Sequence, residues 1–124
     1  MPGRRILIIE DEPQLVVLLD KHLKRLGYEV DAHSTAAAAL GALDNPESRY
    51  DLVVADMGLP DMPGEALLAR ICALRPVLPV LVCSGSQFFV SSLPPDLQPQ
   101  VRFLQKPFLP RELGQKIEEI LGPE

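Results

Sequence analysis

Residues 51–64 read D-L-V-V-A-D-M-G-L-P-D-M-P-G. Leu52 to Ala55 is a short apolar run with two β-branched residues at its centre. Tyr50 and Asp51 lead into it, Asp56 ends it, and a Pro-Gly loop follows over 57–63. An apolar run of this length with no polar alternation is the pattern of a strand buried on both faces, as in a parallel sheet. Asp56 then lies at the C-terminal end of such a strand.

The same pattern recurs on either side. Arg5–Ile9 is a second apolar run and stops at Glu10, Asp11 and Glu12. Pro13 suits the first turn of a helix. Leu15, Leu19, Leu23 and Leu26 follow at helical spacing, and Gly27 stops that helix. Tyr28–Ala32 reads as a weaker strand, and the Ala-rich Thr35–Leu43 as a helix ended by Asn45-Pro46. After the loop, Gly64–Leu74 is helical and carries Leu67, Leu68, Ile71 and Leu74. Val80–Cys83 is a fourth strand ending at Ser84-Gly85, and Val101–Gln105 a fifth ending at Lys106-Pro107. The last helix starts at Pro110 and shows Leu113, Ile117, Ile120 and Leu121 on one face, with Gly122 as its stop.

Strand and helix thus alternate about five times. This predicts an α/β fold, a doubly wound five-stranded parallel sheet with helices on both faces. Right-handed crossovers place every strand C-terminus on one edge, which is where ligands bind in open α/β sheets.

The bulk composition is compatible with one domain spanning 1–124. Hydrophobic residues make up 47% and charged residues 23%. A net charge of -5 with no basic cluster argues against nucleic-acid binding by this domain. No apolar run approaches the roughly 18 residues of a membrane span, and the first residues lack a signal-peptide pattern. The expectation is a cytoplasmic chain without membrane contact. Cys72 and Cys83 sit in apolar surroundings and read as buried thiols. His22 and His33 read as surface residues without a partner pattern.

Polar residues follow four of the five strands directly: Glu10, Asp11 and Glu12, then Asp56, Ser84 and Lys106. Carboxylates brought to one rim repel each other unless a cation sits between them, and oxygen-only donors suit Mg2+ rather than zinc. A lysine supplies fixed positive charge for a phosphoryl oxygen, and a serine hydroxyl can donate to another. The remaining carboxylate can act as a nucleophile, since Asp forms aspartyl phosphates. Glu12 reads as a residue complementing the helix dipole rather than as a ligand.

Four segments carry a resemblance over nearly the whole chain: I-L-I-I-E-D-E-P, D-L-V-V-A-D-M-G-L-P-D-M-P-G, V-L-V-C-S-G and F-L-Q-K-P-F. In that order, with 45 residues from Asp11 to Asp56, 28 to Ser84 and 22 to Lys106, the chain resembles the receiver domains of two-component response regulators. The resemblance implies a flavodoxin-like sheet of order 2-1-3-4-5. It implies that Asp56 is the phosphoacceptor and that Glu10, Asp11, Asp56 and the Gly58 backbone carbonyl hold Mg2+. Ser84 and Lys106 would bind the phosphoryl group, Phe103 would be a switch aromatic, and Pro107 would hold the turn after Lys106. The implied partners are a sensor histidine kinase or phosphotransfer domain and a downstream protein. The receiver would stand alone or belong to a larger protein such as a hybrid histidine kinase.

The chain departs from that pattern in two places. Segment 85–100 holds Pro94, Pro95 and Pro99, and an interior proline costs a helix about 3 kcal/mol. The fourth helix is therefore expected to be short or irregular, with a helical turn near Phe88–Ser92. At Gly58 the family often carries a side chain; with glycine there, self-dephosphorylation is expected to depend little on this position. Two other readings compete. One is a receiver-like interaction module acting independently of phosphorylation. The other is a hydrolase, which would need a second acid such as Asp61 and a substrate cap.

Overall fold

In chain order the elements are β1 (Arg5–Ile9), α1 (Pro13–Arg25), β2 (Glu29–His33), α2 (Ala36–Asp44) and β3 (Leu52–Asp56). Then come α3 (Gly64–Leu74), β4 (Val80–Ser84), β5 (Val101–Gln105) and α4 (Pro110–Leu121). The structure is a computed structural model and describes residues 3–85 and 93–122. All strand pairings are parallel, and the sheet order is β2-β1-β3-β4-β5.

Each strand residue faces the side opposite to its neighbours. Leu7, Ile9, Val53, Ala55, Val80 and Val82 therefore pack on one face against α2 and α3. Ile6, Ile8, Leu52, Val54, Leu81 and Cys83 pack on the other against α1 and α4. β3 and β4 are buried along their whole length, as the continuous apolar runs require. Both cysteines are buried and unbridged.

Element ends differ from the sequence reading by a residue or so. Tyr28 packs into the core just before β2 instead of starting it. Thr35 is the N-cap of α2, its hydroxyl oxygen accepting the Ala38 N–H at 3.2 Å. Leu26 leaves the apolar stripe: α1 ends at Arg25, and Leu26 is its C-cap, 46% exposed. Gly27 takes φ 99°, the left-handed turn that ends the helix.

Between β4 and β5 the described residues 93–100 hold a turn and one 3-10 turn, Gln98–Gln100. This agrees with the prolines. The helical turn expected near Phe88–Ser92 falls outside the described residues.

α2 is fixed at both ends by the chain around α3. The Asp61 carboxylate accepts the backbone N–H groups of Ala36 and Ala37, both at 3.1 Å. At the other end Arg75 donates to the carbonyls of Leu43, Asn45 and Ser48. These groups satisfy helix-terminal donors and acceptors that α2 cannot satisfy internally.

Candidate functional site

The sheet register assembles the rim. Ile9 pairs with Ala55, so Glu10 comes beside Asp56. Asp56 pairs with Cys83, which puts Ser84 one step beyond. Ser84 pairs with Gln105, and Lys106 follows. The Lys106 N–H donates to the Ser84 carbonyl at 2.8 Å. The sequence-predicted residues Glu10, Asp11, Asp56, Ser84 and Lys106 therefore meet on one edge.

Carboxylate oxygens of Glu10, Asp11 and Asp56 lie within 4.8 Å of one another. Lys106 Nζ donates to Glu10 Oε1 at 2.7 Å and stands 3.6 Å from Asp56 Oδ1. It also stands 3.7 Å from Glu12, which lies outside the three-carboxylate group but shares its cation. Glu10 Oε2 accepts the Glu12 N–H at 3.2 Å, and Asp56 Oδ1 accepts the Gly58 N–H at 3.1 Å. Glu10 is 4% exposed and Asp56 8%.

Burial pushes the Glu10 carboxyl above its ordinary range. The Asp56 charge adds to that rise, against the pull of the Lys106 hydrogen bond. Burial pulls the Lys106 ammonium down, but Glu10, Asp56 and Glu12 outweigh it and hold its proton more tightly than usual. One ammonium thus faces more carboxylate charge than it neutralises. The donors are all oxygen and close enough to share one small, hard cation, which fits Mg2+.

Ser84 is buried at the end of β4. Phe103, paired with Val82 in β5, packs partly buried against the α2–α3 side of the core. The Lys106–Pro107 peptide is cis. Gly58 is exposed, and a Cβ built there would lie 3.7 and 3.8 Å from the two Asp56 carboxylate oxygens.

Sequence reasoning did not foresee the cleft beside Lys106, lined by Glu12, Leu15, Gly85, Lys106, Pro107 and Phe108. Leu15 read only as a member of the core stripe, although its place one turn into α1 beside the acidic residues was a usable signal. Asp61, weighed as a second acid, is committed to the N-terminus of α2.

With this geometry in place, the chain can be set beside known proteins. Residues 6–118 match the response regulator receiver domain family. A DNA-binding transcriptional regulator NtrC of Bradyrhizobium sp. is 35% identical over 113 residues, 91% of this chain and 23% of that protein. The chain thus spans about a quarter of the length of that relative. A CheY-like receiver domain protein from Methanospirillum hungatei superposes with TM-score 0.85 at 31% identity, covering 96% of this chain and 94% of that one. The receiver domain of sensor histidine kinase PA1611 from Pseudomonas aeruginosa, solved with magnesium coordinated in its active site cleft, gives TM-score 0.81 at 25% identity over 98% and 99%. The chain belongs to the response regulator receiver domain family, the signalling domain of two-component systems. No helix among the described residues is long and apolar enough to cross a membrane.

Proposed function

We propose that this receiver takes a phosphoryl group from a phosphohistidine onto Asp56, with Mg2+ held by the carboxylates of Glu10, Asp11 and Asp56 and the carbonyl of Gly58. The observation that carries the reading is the convergence of three carboxylates within 4.8 Å with Lys106 Nζ 3.6 Å from Asp56. Bound there, the ion would neutralise charge on phosphoryl oxygens.

The residues of the chain do the rest. An Asp56 carboxylate oxygen attacks phosphorus, the P–N bond to the donor imidazole breaks, and the leaving ring keeps the electron pair and takes a proton. Lys106 shifts from Glu10 toward the phosphoryl oxygens, and Ser84 donates its hydroxyl to another. Catalysis is positioning and electrostatics, since phosphoryl transfer leaves little covalent chemistry to the protein. Leu15, Pro107 and Phe108 line an apolar cleft beside Lys106 where the donor ring can approach. The product adds charge at the rim and draws Ser84 toward it, with Phe103 following, so that a downstream protein can distinguish the two states. A cytoplasmic kinase or phosphotransfer domain is the partner that supplies the phosphohistidine.

The test is phosphotransfer from a panel of histidine kinases, and from a small phosphodonor, with Mg2+ present. Wild type should be labelled and Asp56→Asn should not. Labelling that persists in the variant would overturn the assignment. The phosphorylation-independent module is disfavoured by the intact carboxylate group, and Mg2+ titration separates the two readings. The hydrolase reading loses its second acid, because Asp61 is bonded to α2.

A further inference from the structure

Gly58 joins the proposed metal site through its backbone alone. It has no side chain to anchor it, yet its carbonyl must stay in place for the ion. The loop 57–63 is held near Asp56 by the Met57 N–H on the Cys83 carbonyl at 3.3 Å and by the Gly58 N–H on Asp56. Leu59 is then buried in the core at 7% exposure. Past the exposed Pro60, the next hold is Asp61, whose two oxygens each accept one N–H of α2.

α2 is a firm post for such a tie. Ala36, Ala39, Leu40 and Leu43 are buried along it, and Arg75 binds three carbonyls at and beyond its C-terminal end. The Ala36 and Ala37 N–H groups hold the Asp61 carboxylate below the usual carboxylate range, so it stays ionised and a strong acceptor. A residue serving only to cap α2 could come from the chain just before that helix, as Thr35 does for Ala38. Asp61 comes instead from the loop that carries Gly58, so its bonds restrain both elements at once.

We propose that Asp61 is a positioning residue for the phosphoryl-transfer site, acting through loop 57–63 to fix the Gly58 carbonyl. This rests on the reading of Glu10, Asp11, Asp56 and Gly58 as the metal site. Groups that orient a metal ligand without touching the ion typically change affinity about 10- to 100-fold when removed. Thr35 supplies the control, because it caps the same helix end through Ala38 and comes from the chain before the helix rather than from the loop.

Mg2+ titration by calorimetry, with the Gly58 amide resonance followed by NMR, should separate the roles. Asp61→Ala is expected to weaken Mg2+ by about tenfold or more and to move the Gly58 resonance in the free protein. Asp61→Asn, which keeps one acceptor oxygen, should recover part of the loss. Thr35→Ala should lower thermal stability and leave Mg2+ affinity unchanged. Wild-type affinity in Asp61→Ala would overturn the proposal, as would equal losses in Asp61→Ala and Asp61→Asn. An equal Mg2+ loss in Thr35→Ala would also overturn it, by tracing the effect to α2 alone. A wild-type protein that binds no Mg2+ would overturn the metal-site reading and this proposal with it.

Discussion

Replacing Lys106 with methionine keeps an apolar stem and removes the ammonium. Glu10 and Asp56, 4% and 8% exposed, then face each other across at most 4.8 Å with no cation between them. Two unit charges at that separation repel by about 3.5 kcal/mol at an effective dielectric near 20. Removing one partner of a buried ion pair costs about 3–5 kcal/mol. The Lys106 side chain is 17% exposed and its neighbour Glu12 reaches solvent, which puts the expectation at the low end. We expect a loss of about 3 kcal/mol without Mg2+, against a total of roughly 5–15 kcal/mol for a domain, so the variant still folds. Urea denaturation at neutral pH should show the loss as a lower midpoint at constant slope. Mg2+ should then narrow the gap to wild type. In the variant the ion replaces the missing charge and binds more tightly, and each tenfold gain in relative affinity returns about 1.4 kcal/mol at saturation. A gap that Mg2+ leaves unchanged, or no gap at all, would refute the view that Lys106 neutralises this carboxylate group.

Two further predictions follow from contacts near the rim and at the sheet edge. Glycine itself adds no group that could act on hydrolysis, but Gly58→Asn places a side chain in ordinary contact with the Asp56 oxygens, so the variant should fold with wild-type stability yet change the lifetime of the phosphoryl group. Timing phosphoryl loss checks this, and an unchanged lifetime would show that the position does not govern hydrolysis. Tyr50→Phe removes a hydroxyl that donates to Asp31. A hydrogen bond to a charged group contributes about 1.5–3 kcal/mol, discounted here to about 1 because the Asp31 side chain is 29% exposed, or about 4 °C in melting temperature. Burial, with Asp31 adding to it, pushes the Tyr50 hydroxyl up to about 12 from its ordinary 10.0. The folded protein therefore holds that proton more tightly than the unfolded chain. Its contribution is full below pH 10 and is lost as pH rises through about 12; thermal melts of the Phe variant should lack this alkaline loss. Burial raises Asp31, but the Tyr50 hydrogen bond, His33 and Arg5 outweigh it and hold Asp31 below 3.8. Its contribution is present above 3.8 and fades as pH falls through the lower folded value, a limb that should shrink in the same variant.

The parts of the fold legible in the sequence are those where one chemical property decides the outcome. β1, β3 and β4 are buried on both faces, so their apolar runs could be nothing else. β2, E-V-D-A-H at the sheet edge, has no fully buried residue, and its sequence pattern starts one residue early because Tyr28 is apolar and buried. The rim was legible because strand ends share an edge and four of the five carry their own polar residue. The long-range caps were not. Asp61 and Arg75 bind backbone groups 24 to 32 residues away, and a backbone N–H or carbonyl leaves no mark in the sequence. In the sequence Glu12 has the look of an α1 dipole residue, and nothing in E-D-E shows that its carboxylate also faces Lys106 from across the sheet end.

The two thiols give the molecule a pair of internal clocks. Cys83 is 2% exposed, neighbours Asp56 on the β3–β4 ladder, and burial pushes its thiol up to about 12. Its side chain faces α1 and α4, so an alkylating reagent can reach it only when that side of the core opens. Cys72 is 6% exposed and lines a groove against Pro94, Asp96 and Leu97, so lifting that segment alone uncovers it. The slower reaction then measures the opening of the α1–α4 layer beside the strand that neighbours Asp56, and the faster one the opening of the proline-rich crossing. Adding Mg2+ should slow the first clock and leave the second running.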